Sequence, residues 1–257
     1  RYGTVTGVQT CALPICRLRR HQPPNLLSGR MAGIGERTPL DDLAARIEGC
    51  RACPRLVDWR EQVAREKRAA YRDEDYWGRP VSGFGDPRAR IVVLGLAPAA
   101  HGANRTGRVF TGDRSGDWLF AAMHRAGLAN QAVSTARDDG LRLNDAWVTA
   151  AVRCAPPENK PSTEERDECA AFLAEELTLL KRCRVVVCLG AFGFQAACRH
   201  FDVRPRPRFG HGVEHPIDGG PTLLGSFHPS QQNTFTGRLT EPMLDSVFQR
   251  AKELAGA

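Results

Sequence analysis

The sequence predicts a three-layer α/β domain, with a central parallel sheet of about four strands flanked by helices. Three observations carry this. Four short apolar runs, at 91–96, 147–152, 185–189 and 222–227, have the length and content of strands buried on both faces. Each is followed, directly or after a loop, by a segment with helical periodicity or capping residues. The strand-then-helix order repeats along the chain, and parallel strands need such crossovers.

The elements follow in order. Thr38-Pro39, with Asp41 three residues after the threonine, opens a helix that runs toward Gly49. Cys50-Arg51-Ala52-Cys53 ends it, and residues 55–72 form a charged helical stretch rich in Arg, Glu and Lys. Gly83-Phe84-Gly85-Asp86-Pro87 is a loop of turn residues before the strand at 91–96. A helix over 116–126 places Trp118, Leu119, Ala122, Met123 and Ala126 on one face and closes at Gly127. The second strand, 147–152, precedes a capping box of Ser162 and Glu165 that opens a helix to about Leu180. The third strand, 185–189, leads into a short helix ending at His200. The fourth, 222–227, precedes a terminal helix from Thr240-Glu241-Pro242 to about Leu254.

Composition narrows the class. The chain has 257 residues, 36 Lys+Arg against 29 Asp+Glu, and a formal net charge of +7. No run of about 18 apolar residues is present, which excludes a helical membrane span. Nine cysteines, an odd number, argue against a secreted scaffold built wholly from disulfides. Residues 1–30 hold five arginines and no acid, and Cys11-Ala12-Leu13-Pro14-Ile15 resembles a translated sequencing adapter. This segment is expected to be a disordered, non-native leader; the alternative is an arginine-rich targeting peptide, although a clean apolar region is lacking. A single domain is expected over 31–257, whose net charge is only +2. An anionic partner would then be met by local basic clusters, such as Arg204, Arg206 and Arg208, rather than by bulk charge.

Ligands of such sheets sit beyond the carboxyl ends of the strands. Two long loops rich in Gly, Thr and Arg fall there, Gly95–Asp113 and His228–Arg238. Cys50 and Cys53 form one cysteine pair, and Cys154 and Cys169 a second. Thiolates suit a soft metal, so zinc and an iron–sulfur cluster are both candidates, and buried unligated thiols are the third reading. The wide spacing of the second pair is unlike the short knuckles of a zinc ribbon. Cys183, Cys188 and Cys198 read as core packing.

These residues together resemble the uracil-DNA glycosylase superfamily, and in particular its family 5, or type B, iron–sulfur branch. The resemblance rests on Gly95-Leu96-Ala97-Pro98, Arg105-Thr106-Gly107-Arg108 and Phe110-Thr111-Gly112-Asp113. It rests also on His228-Pro229-Ser230 with Asn233 and Thr236-Gly237-Arg238-Leu239-Thr240, and on the four-cysteine frame. It implies a uracil-DNA glycosylase-like fold and a [4Fe-4S] cluster on Cys50, Cys53, Cys154 and Cys169. It nominates Asp113 to orient water and His228, as a neutral donor, to stabilise the departing base. Base and DNA contacts are expected from Ala97, Pro98, His101, Asn104, Arg105, Arg108, Phe110, Ser230, Asn233 and Arg238. Phe110 would stack on the extruded base, and Gln231, Gln232 and Asn233 would probe the gap it leaves.

The first motif supplies only apolar side chains where several relatives carry an acid or amide. The 148–152 segment carries no asparagine where a related branch reads uracil. The implied enzyme therefore excises uracil and also deaminated purines, hypoxanthine and xanthine. No motif lysine stands out as a Schiff-base nucleophile, so strand cleavage is not expected. The implied partner is DNA containing uracil or other deaminated bases, met by a monomer in a prokaryotic cytoplasm. A non-catalytic binder of damaged DNA and a strict uracil-only glycosylase are the alternatives.

Overall fold

Alternation in the central strands decides the architecture. In the strand β2, Ile91–Gly95, Ile91 and Val93 face one hydrophobic cluster while Val92 and Leu94 face another. The same division holds in β4, Val185–Leu189, where Val185 and Val187 lie on the first side and Val186 and Cys188 on the second. A strand apolar on both sides requires a covered sheet, and helices cover it here. The computed structural model describes residues 37–256 together with Gly3. The leader expected over 1–30, and the domain boundary at 31, lie outside these residues apart from Gly3.

The remaining strands are β1 (Phe84–Gly85), β3 (Ala146–Ala150), β5 (Glu214–Pro216) and β6 (Thr222–Ser226). The sheet has six strands in the order β1-β3-β2-β4-β6-β5. The four central strands are parallel, as expected, with Ile91 opposite Ala146 and Val185 and with Val185 opposite Thr222. The two edge strands are antiparallel additions to the expected four. They are two and three residues long, too short to show a pattern, and β5 ends in a proline that only an edge accommodates.

Eight α-helices are present among the described residues: α1 (Pro39–Glu48), α2 (Pro54–Glu66), α3 (Ala103–Thr106), α4 (Arg114–Arg125), α5 (Thr163–Leu179), α6 (Gly190–His200), α7 (Gln231–Phe235) and α8 (Glu241–Ala255). Both expected capping boxes form, Thr38 with Asp41 and Ser162 with Glu165. On one face of the sheet, Leu119, Phe120 and Met123 of α4 pack with Leu244, Val247 and Phe248 of α8. On the other, Leu173 and Leu177 of α5 pack with Phe194 and Ala197 of α6. Each of these Leu, Val, Phe and Met side chains contributes about 1.5–3 kcal/mol through burial.

The charged stretch at 55–72 is shorter than expected. The helix stops at Glu66 because Lys67 turns into positive φ (54°). No described helix is long and apolar enough to cross a membrane.

Candidate active site

From β2 the chain crosses to β3 on one side and then, from β3, to β4 on the other side of β2, a reversal that opens a crevice at the carboxyl end of the sheet. A cavity of about 650 Å3 lies there. The loop after β2 supplies Leu96, Ala97, His101, Phe110 and Asp113, and the segment after β6 supplies His228, Ser230 and Gln231.

Phe110 sits at the floor, mostly buried, with its backbone at φ 54°. Its ring lies against the end of β2: a Cβ on Gly95 would come within 2.7 Å of Phe110 Cζ. The ring centroid is 5.7 Å from that of His228, tilted by 34°. The two flat groups therefore stand next to each other in the cavity wall.

Asp113 divides its carboxylate between two tasks. Oδ1 accepts from the Gly116 amide at 3.0 Å and caps α4. Oδ2 lies against Gly102, where a Cβ would approach it to 2.1 Å, so only glycine leaves room for it. Burial raises the Asp113 pKa above the usual carboxylate value, while the amides of Gly116 and Ser115 pull the other way.

Burial drives the His228 pKa down to about 4. The imidazole is therefore neutral at pH 7, with one N–H to donate and no hydrogen-bond partner among the described residues. Asn233 Nδ2 donates to the His228 carbonyl at 2.9 Å and fixes the backbone that presents the ring. Ser230 lines the cavity and caps α7, accepting from the Asn233 amide at 3.4 Å. His101 also lines the cavity, its Nδ1 3.0 Å from the Tyr76 hydroxyl. Burial lowers its pKa, helped by the nearby charges of Arg68 and Arg105.

A model of the Uracil DNA glycosylase superfamily matches residues 82–252, the span that carries His101, Phe110, Asp113, His228 and Ser230. Proteins named type-5 uracil-DNA glycosylase are similar over most of the chain. That of Mycobacterium bovis is 58% identical over 84% of this chain and 81% of its own. That of Thermus thermophilus is 54% identical over 82% of this chain and 95% of its own. The chain belongs to the uracil DNA glycosylase superfamily, in its type-5 branch. A protein named type-4 uracil-DNA glycosylase, from Thermotoga maritima, is more distant at 28% identity over 74% of this chain and 81% of its own. By this membership the chain is a glycosylase-type hydrolase.

For a glycosylase of this branch, several of the expected base and DNA contacts need correction. Asn104 is wholly buried, and its Nδ2 donates to the Arg60 carbonyl at 3.2 Å. Arg105 is buried, donates to the carbonyls of His101 and Gly112, pairs with Glu74 and stacks over Tyr71. Arg108 is buried, donating to Thr111, Ser134 and the Arg137 carbonyl and pairing with Asp139 at 2.7 Å. These guanidiniums brace the loop from inside and have protein oxygens where phosphates were expected. Pro98 is buried and Asn233 is turned toward the His228 carbonyl; neither lines the cavity. Arg238 is exposed outside the cavity, its guanidinium 4.7 Å from the Phe227 ring, a position that leaves its expected contact with DNA unaltered.

The glycosylase cavity also has walls that the sequence did not announce. Arg68 and Tyr71 arrive from the chain beyond the break at Lys67, and Asn159 from a turn with positive φ (57°). Arg114, the first residue of α4, lines the mouth and stacks 4.4 Å over the ring of Phe235, which is 67% exposed. Of these, only Arg68 and Tyr71 fell in a segment with a signal, the charged stretch at 55–72, and nothing in it marked them as part of a site.

The four cysteines of the frame line a second, much smaller cavity together. Cys50 and Cys53 come from the link between α1 and α2, Cys154 from the segment after β3, and Cys169 from α5. Burial pushes the Cys53 thiol up to about 11 and the Cys154 thiol to about 12, and the neighbouring thiols add to both. Among the described residues, no three His, Cys, Asp or Glu side chains converge on the position of a single ion. Arg60, 2% exposed, donates to Cys154 Sγ at 2.9 Å and to the Cys50 carbonyl at 3.1 Å.

Proposed function

We propose that this chain hydrolyses the N-glycosidic bond of uracil in DNA, and of hypoxanthine and xanthine, as a monofunctional glycosylase that begins base excision repair. The observation that carries the reading is the convergence of Phe110, Asp113 and His228 on one cavity. A base buried in a duplex must leave the stack to be reached, and an aromatic face receives it. Phe110 offers that face. The C1′–N bond then breaks with its electron pair moving to the base. The oxygen of a water forms the new bond to C1′, and its proton passes to the Asp113 carboxylate or to solvent. The same carboxylate offsets positive charge on the sugar. The neutral His228 N–H donates to the base oxygen where negative charge collects, in a site shielded from water.

Breadth of substrate is supported by the strand end rather than by the cavity wall as a whole, whose side-chain amides, Asn159, Gln231 and Gln232, come from a turn and from α7. The end of β3 is apolar at Ala150, Ala151 and Val152, and the Thr149 hydroxyl is turned away to Glu176 at 2.7 Å. No side-chain amide there enforces a uracil edge. Incubation with oligonucleotides bearing uracil, hypoxanthine or xanthine, followed by alkaline cleavage at abasic sites, tests this. All three bases are expected to be released. Release of uracil alone overturns the broad specificity, and tight binding without abasic product overturns catalysis.

The reading includes a [4Fe-4S] cluster held by Cys50, Cys53, Cys154 and Cys169. Two features support the fit. A tetrahedral zinc would draw its sulfurs to about 3.8 Å from one another, given Zn–S bonds of about 2.3 Å. The thiolates of a cluster each bind a different iron and need not converge on one ion. Arg60, moreover, is a buried cation with no carboxylate within 4 Å among the described residues, and its Nε lacks a protein acceptor. Anionic thiolates and sulfides provide both the missing charge and the acceptor. When bound, the cluster would tie the α1–α2 link to the end of β3 and to α5, apart from the excision chemistry. Iron and acid-labile sulfide in stoichiometric amounts are expected in the purified protein.

A further inference from the structure

The fold buries two arginines almost completely, and they are solved differently. Arg153, 1% exposed, pairs with Glu176, itself 2% exposed, at 2.6 Å. Arg60, 2% exposed, has instead a cysteine sulfur and a backbone carbonyl as acceptors. An unpaired cation at that depth is costly unless an anion faces it, and the cysteine cavity is the place it faces. The other side of the same residue is also committed. The Arg60 carbonyl accepts from Asn104 Nδ2 at 3.2 Å. Asn104 lies in α3, whose preceding residues are His101, in the cavity wall, and Gly102, pressed against Asp113.

We propose that Arg60 is a positioning residue that joins the two sites. Its guanidinium balances the thiolates that hold the cluster, and its carbonyl anchors the loop that shapes the active-site wall. This rests on the cluster reading above, and the experiment separates the two. The natural chain, Arg60→Gln and Arg60→Lys are purified with their clusters. Iron and sulfide content, the rate of cluster bleaching by a chelator, the reduction potential and thermal melting are measured for each.

Removing the donor to Cys154 Sγ is expected to speed bleaching of Arg60→Gln by roughly tenfold or more. Its potential should move to more negative values, because a positive charge that favours the reduced cluster is gone. Arg60→Lys keeps the charge but not the two-pronged contact, so its potential should stay near that of the natural chain while bleaching is intermediate. A role in packing alone would lower the melting temperature of both variants without separating their potentials. Natural bleaching rate and potential in Arg60→Gln overturn the role of Arg60 alone. Absence of iron and sulfide from the natural chain overturns the cluster reading and the role with it. If Arg60→Gln fails to fold, Arg60→Lys decides: faster bleaching at the natural potential supports the contact, and natural bleaching overturns it.

Discussion

Asp113 serves the fold with one oxygen and faces Gly102 at the cavity with the other, so a substitution can separate the two. Asparagine is as good a helix cap as aspartate. Asp113→Asn should therefore keep α4 and remove a buried carboxylate whose ionisation burial opposes. Single-turnover excision should fall by roughly 10²–10⁴-fold, with DNA affinity little changed and the melting temperature unchanged or higher. Excision within threefold of the natural rate would remove Asp113 from the chemistry. His228 makes the opposite kind of prediction, one of pH. Its pKa is about 4 in the folded chain, against about 6.5 when unfolded. Between these values the unfolded chain binds more protons, so stability falls as pH falls from about 6.5 toward 4. His228→Gln, lacking a titrating ring, should lose less stability over that window in denaturant melts at pH 7 and pH 5. Equal losses in the two proteins would show that the ring is solvated after all.

At the level of elements, legibility followed burial. The four central strands were readable because each is apolar on both faces, and the capped helices because Thr38, Asp41, Ser162 and Glu165 act within one turn. The edge strands and the one-turn helices α3 and α7 were not, since so few residues carry no periodicity. Strand ends placed the loops that carry Phe110, Asp113 and His228 at one edge of the sheet, and the resemblance singled out these residues within them; all three line one cavity. Arg105 and Arg108 were misjudged for a physical reason. An arginine in a glycine-rich loop reads as a phosphate ligand, and its acceptors here come from distant residues such as Glu74 and Asp139. The corrected placement has its own consequence. Arg108 and Asp139 are 6% and 9% exposed, so Arg108→Ala leaves a nearly buried carboxylate without its cation, held only by the amides of Thr135, Ala136 and Leu141. A loss of about 3–5 kcal/mol in stability is expected from chemical denaturation. DNA affinity of the folded fraction should keep its natural salt dependence. A variant of natural stability whose salt dependence drops would return Arg108 to the DNA surface.

For the whole molecule the question is where the charge that meets DNA resides. The net charge of +7 points to an anionic partner, yet residues 1–30 hold five basic residues and no acid, leaving +2 on 31–257. The cavity mouth supplies its own cations, since Arg68 and Arg114 are exposed and line it. Affinity for DNA falls with salt according to the number of phosphates neutralised, with a slope of about −0.9 per contact on a log–log plot. That slope counts local contacts and is indifferent to net charge, which makes it the right measure. If the contacts come from the cavity mouth, a chain beginning at Met31 should show the slope of the full chain to within about one contact. Its excision of uracil at saturating protein should also be unchanged. A slope shallower by two or more contacts would place the first thirty residues on the DNA. An unchanged slope with lost excision would instead give that segment a part in building the site.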